Sequence, residues 1–210
     1  MPPSSFRPEP DAGGDAVPDE FAAVTAALRA ALSRTRPEVV LSETRGPSKV
    51  APHSLAILAS VNGSVNGSVN DADEIAVGRL VLLHDPDGQA AWDGTYRIAC
   101  FARADLDAEM GGDPLLPEVT WSWLEEALSA EDAEADALAG TVTITRSSRF
   151  GELAEDGDEG SSEAELRCSW TPRWDDDPAR HLRAFCGLLA DLAGLPPDIP
   201  GVVAISARRR

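Results

Sequence analysis

No stretch of this sequence approaches the roughly 18 consecutive apolar residues that a membrane-spanning helix needs, so no transmembrane segment is predicted. Met1 to Val17 lacks both the basic start and the apolar centre of a secretory signal, and a cytoplasmic location is expected. Cysteine is scarce. Cys100, Cys168 and Cys186 are odd in number and far apart, which argues against a disulfide framework and predicts reduced, buried thiols that act as small hydrophobes. Histidine is just as scarce, and His53, His84 and His181 are too few and too scattered to predict a multi-histidine metal centre. The pair His84-Asp85 looks like part of a phosphohydrolase centre, but it ends one predicted strand and begins a turn. The acidic runs Glu152 to Glu159 and Asp175 to Asp177 lack the ligand spacing of a calcium loop. Also missing are a Gly-x-Ser-x-Gly elbow, a phosphate-binding loop, a dinucleotide fingerprint and a Cys-x-x-Cys pair. No catalytic residue, metal or cofactor is therefore predicted. Basic residues number half the acidic ones, 18 against 36, for a net charge of −18. Such a surface repels nucleic acid and anionic membrane, since both are held by cationic contacts.

What is present is enough for one folded domain. The 210 residues are 43% hydrophobic, which supports a single core over residues 18–196 between tails at 1–17 and 197–210. Only 5% are aromatic, so the five Trp residues carry much of the anchoring. Pro18-Asp19-Glu20 opens a helix in which Phe21, Val24, Leu28 and Leu32 share a face, predicted over 18–35. Val39 to Leu41, Ser54 to Val61, Glu74 to His84 and Gly94 to Arg103 read as strands. Asp85-Pro86-Asp87-Gly88 is the predicted turn between the last two. The run Leu80-Val81-Leu82-Leu83 predicts burial on both faces.

Asp113-Pro114 then caps a helix at 116–129 whose Trp121 and Trp123 suggest the packing centre of the chain. Thr141 to Thr145 and Glu165 to Thr171 are further strands. Asp177-Pro178 opens a last helix at 178–193, lined by Leu182, Phe185, Leu188, Leu189 and Leu192 and stopped by Gly194. Residues 62–73, with their duplicated Asn-Gly-Ser-Val, and 151–163 are predicted loops; the two glycosylation-like triplets in the first carry no meaning without a secretory signal. The fold expected is a two-layer α+β domain with a mostly antiparallel sheet of about five or six strands and three helices on one face. The element order is helix, three or four strands, helix, two strands, helix.

Candidate binding residues are polar groups that interrupt this apolar pattern. Arg79, Arg97 and Arg103 punctuate the strands, Asp113 and Glu118 flank the entrance of the central helix, and Trp92 and Trp121 are candidate walls. Arginines on half-buried strands ordinarily pair with carboxylates for structural reasons. The functional alternative is an anion- or peptide-binding pocket beside the central helix.

Three blocks carry a family resemblance: Gly78-Arg79-Leu80-Val81-Leu82-Leu83-His84-Asp85-Pro86, Trp92-Asp93-Gly94-Thr95-Tyr96-Arg97, and Asp113 to Leu124 with its Trp121-Ser122-Trp123 centre. Over roughly Phe21 to Pro196 the chain resembles the actinobacterial proteins grouped as domain of unknown function 3000. That resemblance implies a compartment rather than a chemistry. The element order is also similar to that of type III secretion chaperones and their YbjN-like relatives, acidic dimers that hold other polypeptides; fold likeness alone does not fix function. The function expected is a non-enzymatic, chaperone- or adaptor-like module with a protein partner or a second copy of itself. A small-molecule enzyme or anion-binding protein built on the arginines and carboxylates is the alternative.

Overall fold

The computed structural model describes residues 17–62, 74–107, 110–153, 160–174 and 177–197. The predicted tail at 1–16, the Asn-Gly-Ser repeat at 63–73, the acidic stretch at 154–159 and the tail at 198–210 lie outside the described residues. Among the described residues three α-helices, α1 (Asp19–Ala31), α2 (Leu116–Ala130) and α3 (Ala179–Leu192), accompany six strands. The strands are β1 (Val39–Thr44), β2 (His53–Asn62), β3 (Glu74–Gln89), β4 (Gly94–Leu106), β5 (Ala135–Ser147) and β6 (Ser161–Pro172). They form one sheet in the order β1-β2-β3-β4-β6-β5, with every neighbouring pair antiparallel. This is the predicted α+β architecture.

Alternation in the strands decides which face is buried. Leu55, Ile57, Ala59 and Val61 of β2, Leu80 and Leu82 of β3, Ile98 and Cys100 of β4, and Leu166, Cys168 and Trp170 of β6 join the helices in one core. The three thiols are buried and unbonded, as expected, and burial pushes Cys186 up to about 12. The predicted Asp caps fall just short of the helices, whose N-cap residues are Leu115 and Pro178 without a side-chain cap bond. Asp113 Oδ1 instead accepts from the Leu115 N–H at 2.9 Å and Asp177 Oδ1 from the Ala179 N–H at 3.0 Å in the turns that lead in. Gly194, at φ 65°, ends α3, and the Leu195 N–H returns to the Ala190 carbonyl at 2.9 Å.

Several expectations need correction. The first helix stops at Ala31, short of residue 35, while the fifth and sixth strands run far beyond their apolar centres; β6 already begins at Ser161, inside the predicted 151–163 loop. Asp85–Gly88 does not reverse the chain. Asp87 N–H does bond Asp85 Oδ1 and Gly88 does take φ 73°, but pairing with β4 resumes at Gln89 opposite Gly94, so the segment is an irregularity within β3. The reversal falls at residues 90–93, where the Trp92 N–H meets the Gln89 carbonyl. The packing centre is α3, which touches β1, β2, β3, β4, α1 and α2; α2 packs on α3 and β5. Trp121 and Trp123 are only half-buried because α2 lies at the margin of the core, and Val119 is 38% exposed. Finally, among the described residues no second helix layer covers the run at Leu80–Leu83. On the far face Leu83 is buried against Trp92 and Ala51, with Val81 packed alongside.

Candidate functional site

Among the described residues all three helices lie on one side of the sheet. On the other face the loop 45–52 covers the end over β2 and β3, where Ala56 is fully buried, and the part across β3, β4, β6 and β5 is open. The register sets its side chains in rows across the strands. Leu58, Arg79, Phe101, Arg167 and Thr141 form one row, and Ala56, Val81, Ala99, Ser169 and Ala139 the next. Beyond that row stand Ser54, Leu83 and Arg97. A row of small residues between rows of long ones makes a trough of about 520 Å³ running across β3, β4, β6 and β5. Its size falls within the range of ligand sites, ~300–1,000 Å³. Trp92 closes one end of the face against Leu83 and Ala51.

Arg79 and Arg167 line the trough on one side, and Arg97 stands in the row beyond its floor on the other, reached through Ser169. On one wall the Arg167 guanidinium lies 5.1 Å from the Phe101 ring centre and bonds Glu165 at 2.6 Å, which lowers the Glu165 carboxyl below its ordinary range. Beside it, Arg79 gives one bond, Nη2 to the Arg45 carbonyl at 3.2 Å, while its Nε is buried without a partner. On the opposite side Arg97 donates only to neutral oxygens: Thr171 Oγ1 at 3.1 Å, the Ala137 carbonyl at 3.1 Å, and Ser169 at its carbonyl and at Oγ, 2.8 Å away. Burial holds the Arg97 guanidinium below its usual range. Ala137 takes φ 48° in the irregular stretch between Asp136 and Ala139, and its carbonyl meets Arg97 there. Arg103, one row beyond Phe101, pairs with Glu163 at 3.4 Å. Among the described residues neither Arg79 nor Arg97 has a carboxylate partner.

Four of the residues singled out from sequence therefore share this face: Arg79, Arg97, Arg103 and Trp92. Asp113, Glu118 and Trp121 do not join them, for they belong to the helix layer, where Trp121 Nε1 donates to Glu125 Oε1 at 3.0 Å. Arg167 was not singled out. Its alternation against Leu166 and Cys168 was the available signal, since it placed Arg167 on the outward side.

The histidines were expected to be scattered, yet the fold gathers all three. His84 is fully buried in a chain of rings: Phe21 at 5.6 Å, His53 at 5.8 Å and Tyr96 at 4.2 Å between centroids. Trp174 continues it to His181. His84 Nδ1 lies 3.1 Å from the Thr95 carbonyl, and Nε2 lies 3.1 Å from Glu20 Oε1, off the line of a hydrogen bond. Tyr96 is pushed up to about 12 by burial and by the Glu20 charge, and burial takes His181 down to about 4. Both shifts run away from neutrality, the opposite of what proton transfer near pH 7 requires. No group of three or more His, Cys, Asp or Glu that could hold a metal occurs among the described residues.

A family model described as "Protein of unknown function (DUF3000)" matches residues 17–203. The chain belongs to this family. No curated protein and no solved structure matches it, so the likeness to secretion chaperones rests on element order alone. The DUF3000 match spans every helix and strand described above, including the whole open face and its arginines. Among the described residues of this DUF3000 chain, no helix is long and apolar enough to cross a membrane.

Proposed function

We propose that this chain is a non-enzymatic binding module whose open sheet face docks another polypeptide. The observation that carries the proposal is the open part of that face, where Leu58, Val81 and Phe101 stand among arginines with no helix over them among the described residues. Leu58 is 41% exposed and Val40, on the same face of β1, 53%. Contiguous apolar surface rimmed by polar groups is what an interaction site presents. A second copy is a poor occupant, because face-to-face contact would set these arginines against one another. The alternative pocket of arginines and carboxylates beside α2 draws no support from the placement of Asp113 and Glu118.

The test is paired affinity capture from the native lysate. The wild-type chain and a Val119→Gln variant, altered on α2, are expected to recover the same stoichiometric polypeptide. The charge-neutral Leu58→Gln/Val81→Gln variant is expected to lose it. Equal recovery by all three chains, or recovery of no stoichiometric polypeptide by any, would overturn the proposal.

A further inference from the structure

We infer that the segment docked in the trough is an extended, acidic polypeptide whose carboxylates complete Arg79 and Arg97. This inference rests on the docking role proposed above and names the partner's chemistry. Six described arginines already have a carboxylate: Arg29 with Glu43, Arg36 with Glu38, Arg103 with Glu163, Arg167 with Glu165, Arg173 with Asp136, and Arg183 with Glu131 and Asp177. In a chain of net charge −18, pairing every arginine would be easy. Arg79 and Arg97 are instead half-buried and held by neutral oxygens only, and the buried Arg79 Nε has no partner at all. A half-buried cation without a counter-charge is costly, and a buried donor without an acceptor adds to that cost. A ligand carboxylate removes both.

The geometry also limits the shape of the ligand. Arg79 and Arg97 lie in rows four residues apart along β3, because Arg97 stands opposite Leu83. At the strand rise of ~3.3 Å per residue the two arginine rows are roughly 13 Å apart, wide enough for one extended chain. The floor of Val81, Ala99, Ser169 and Ala139 bears no long side chain. Successive side chains of an extended segment point in opposite directions. Two adjacent acidic residues would thus reach opposite sides, one toward Arg79 and the other toward Arg97. The Phe101 ring, capped by Arg167, stands beside Arg79 on the same wall and offers an apolar contact there.

The probe is a fluorescein-labelled decapeptide of alanine and serine with two adjacent glutamates at its centre, compared with its glutamine twin by fluorescence anisotropy. The glutamate peptide is expected to bind the wild-type chain at least tenfold tighter than the twin, with the difference shrinking as salt is raised. Arg79→Gln and Arg97→Gln are each expected to erase most of it, the milder Arg79→Lys and Arg97→Lys to keep part, and Arg29→Gln, altered where α1 meets β1, to keep it all. Twins that bind alike, failure of both peptides to bind, or a preference that survives Arg79→Gln and Arg97→Gln would overturn the inference. If the captured partner still depends on Leu58 and Val81 while the peptides show no preference, the acidic ligand is wrong and the docking face stands. If the partner ignores Leu58 and Val81, the docking face itself is wrong.

Discussion

Replacing Phe185 by Ala is expected to lower the unfolding free energy by about 3–5 kcal/mol, the range for emptying a large aromatic site in a core. Phe185 is 1% exposed at the middle of α3, the helix that touches both of the other helices and the first four strands. Its ring reaches the sheet where β3 has no side chain. A Cβ built on Gly78 would lie 2.7 Å from Phe185 Cζ and 3.0 Å from the Phe101 carbonyl, so glycine is what lets the helix approach so closely. The vacated space could not close easily, because Gly78 is paired on both sides, with Ala59 of β2 and Ala102 of β4. Urea unfolding of the two proteins measures the difference. A loss below about 1 kcal/mol, the low end for core truncations, would show that α3 is not the packing centre.

The second large effect concerns pH. His181 is 1% exposed; Trp170 Nε1 donates to its Nδ1 at 3.1 Å, and its Nε2 lies 3.4 Å from the Arg173 carbonyl. Nδ1 is therefore the acceptor, and the ring is neutral with its proton on Nε2. Burial lowers His181 from 6.5 to about 4. The unfolded chain then takes up a proton at higher pH than the folded one does. Stability from this residue is complete above pH 6.5 and falls away as the pH drops toward 4. The difference corresponds to about 3 kcal/mol. Urea unfolding at a series of pH values should show the wild-type chain losing about that much more than His181→Gln between pH 6.5 and 4. Parallel curves would contradict the assignment, since the carboxylates that titrate in the same window are common to both proteins.

Local chemistry was legible in the sequence wherever it acts within a few residues. The spacing of Leu182, Phe185, Leu188, Leu189 and Leu192 located α3, and Asp113 and Asp177 make their expected local contacts in the turns that lead into α2 and α3. Chemistry that depends on distant neighbours was not legible. Two Trp residues suggested that α2 was central, but Trp content does not reveal which helix lies over the middle of the sheet. The turn residues at Asp85–Gly88 adopt their expected contacts, yet the pairing with β4 carries β3 past them. Alternation put Arg97, Phe101 and Arg103 on one side of β4. That Arg79 and Arg167 stand beside Phe101, with the α2 carboxylates in another layer, follows from register between strands as much as 88 residues apart. The gathering of His53, His84 and His181 has the same origin.

The central claim is that the open sheet face is where a partner sits, and hydroxyl-radical footprinting of the captured complex tests it most directly. Oxidation of Leu58, Val81 and Phe101 is expected to fall several-fold on complex formation, while Met110 and Val119, exposed on the helix side, stay as reactive as in the free chain. Protection of Met110 and Val119 with an unchanged Leu58, Val81 and Phe101 would contradict the account and move the partner to the helix layer.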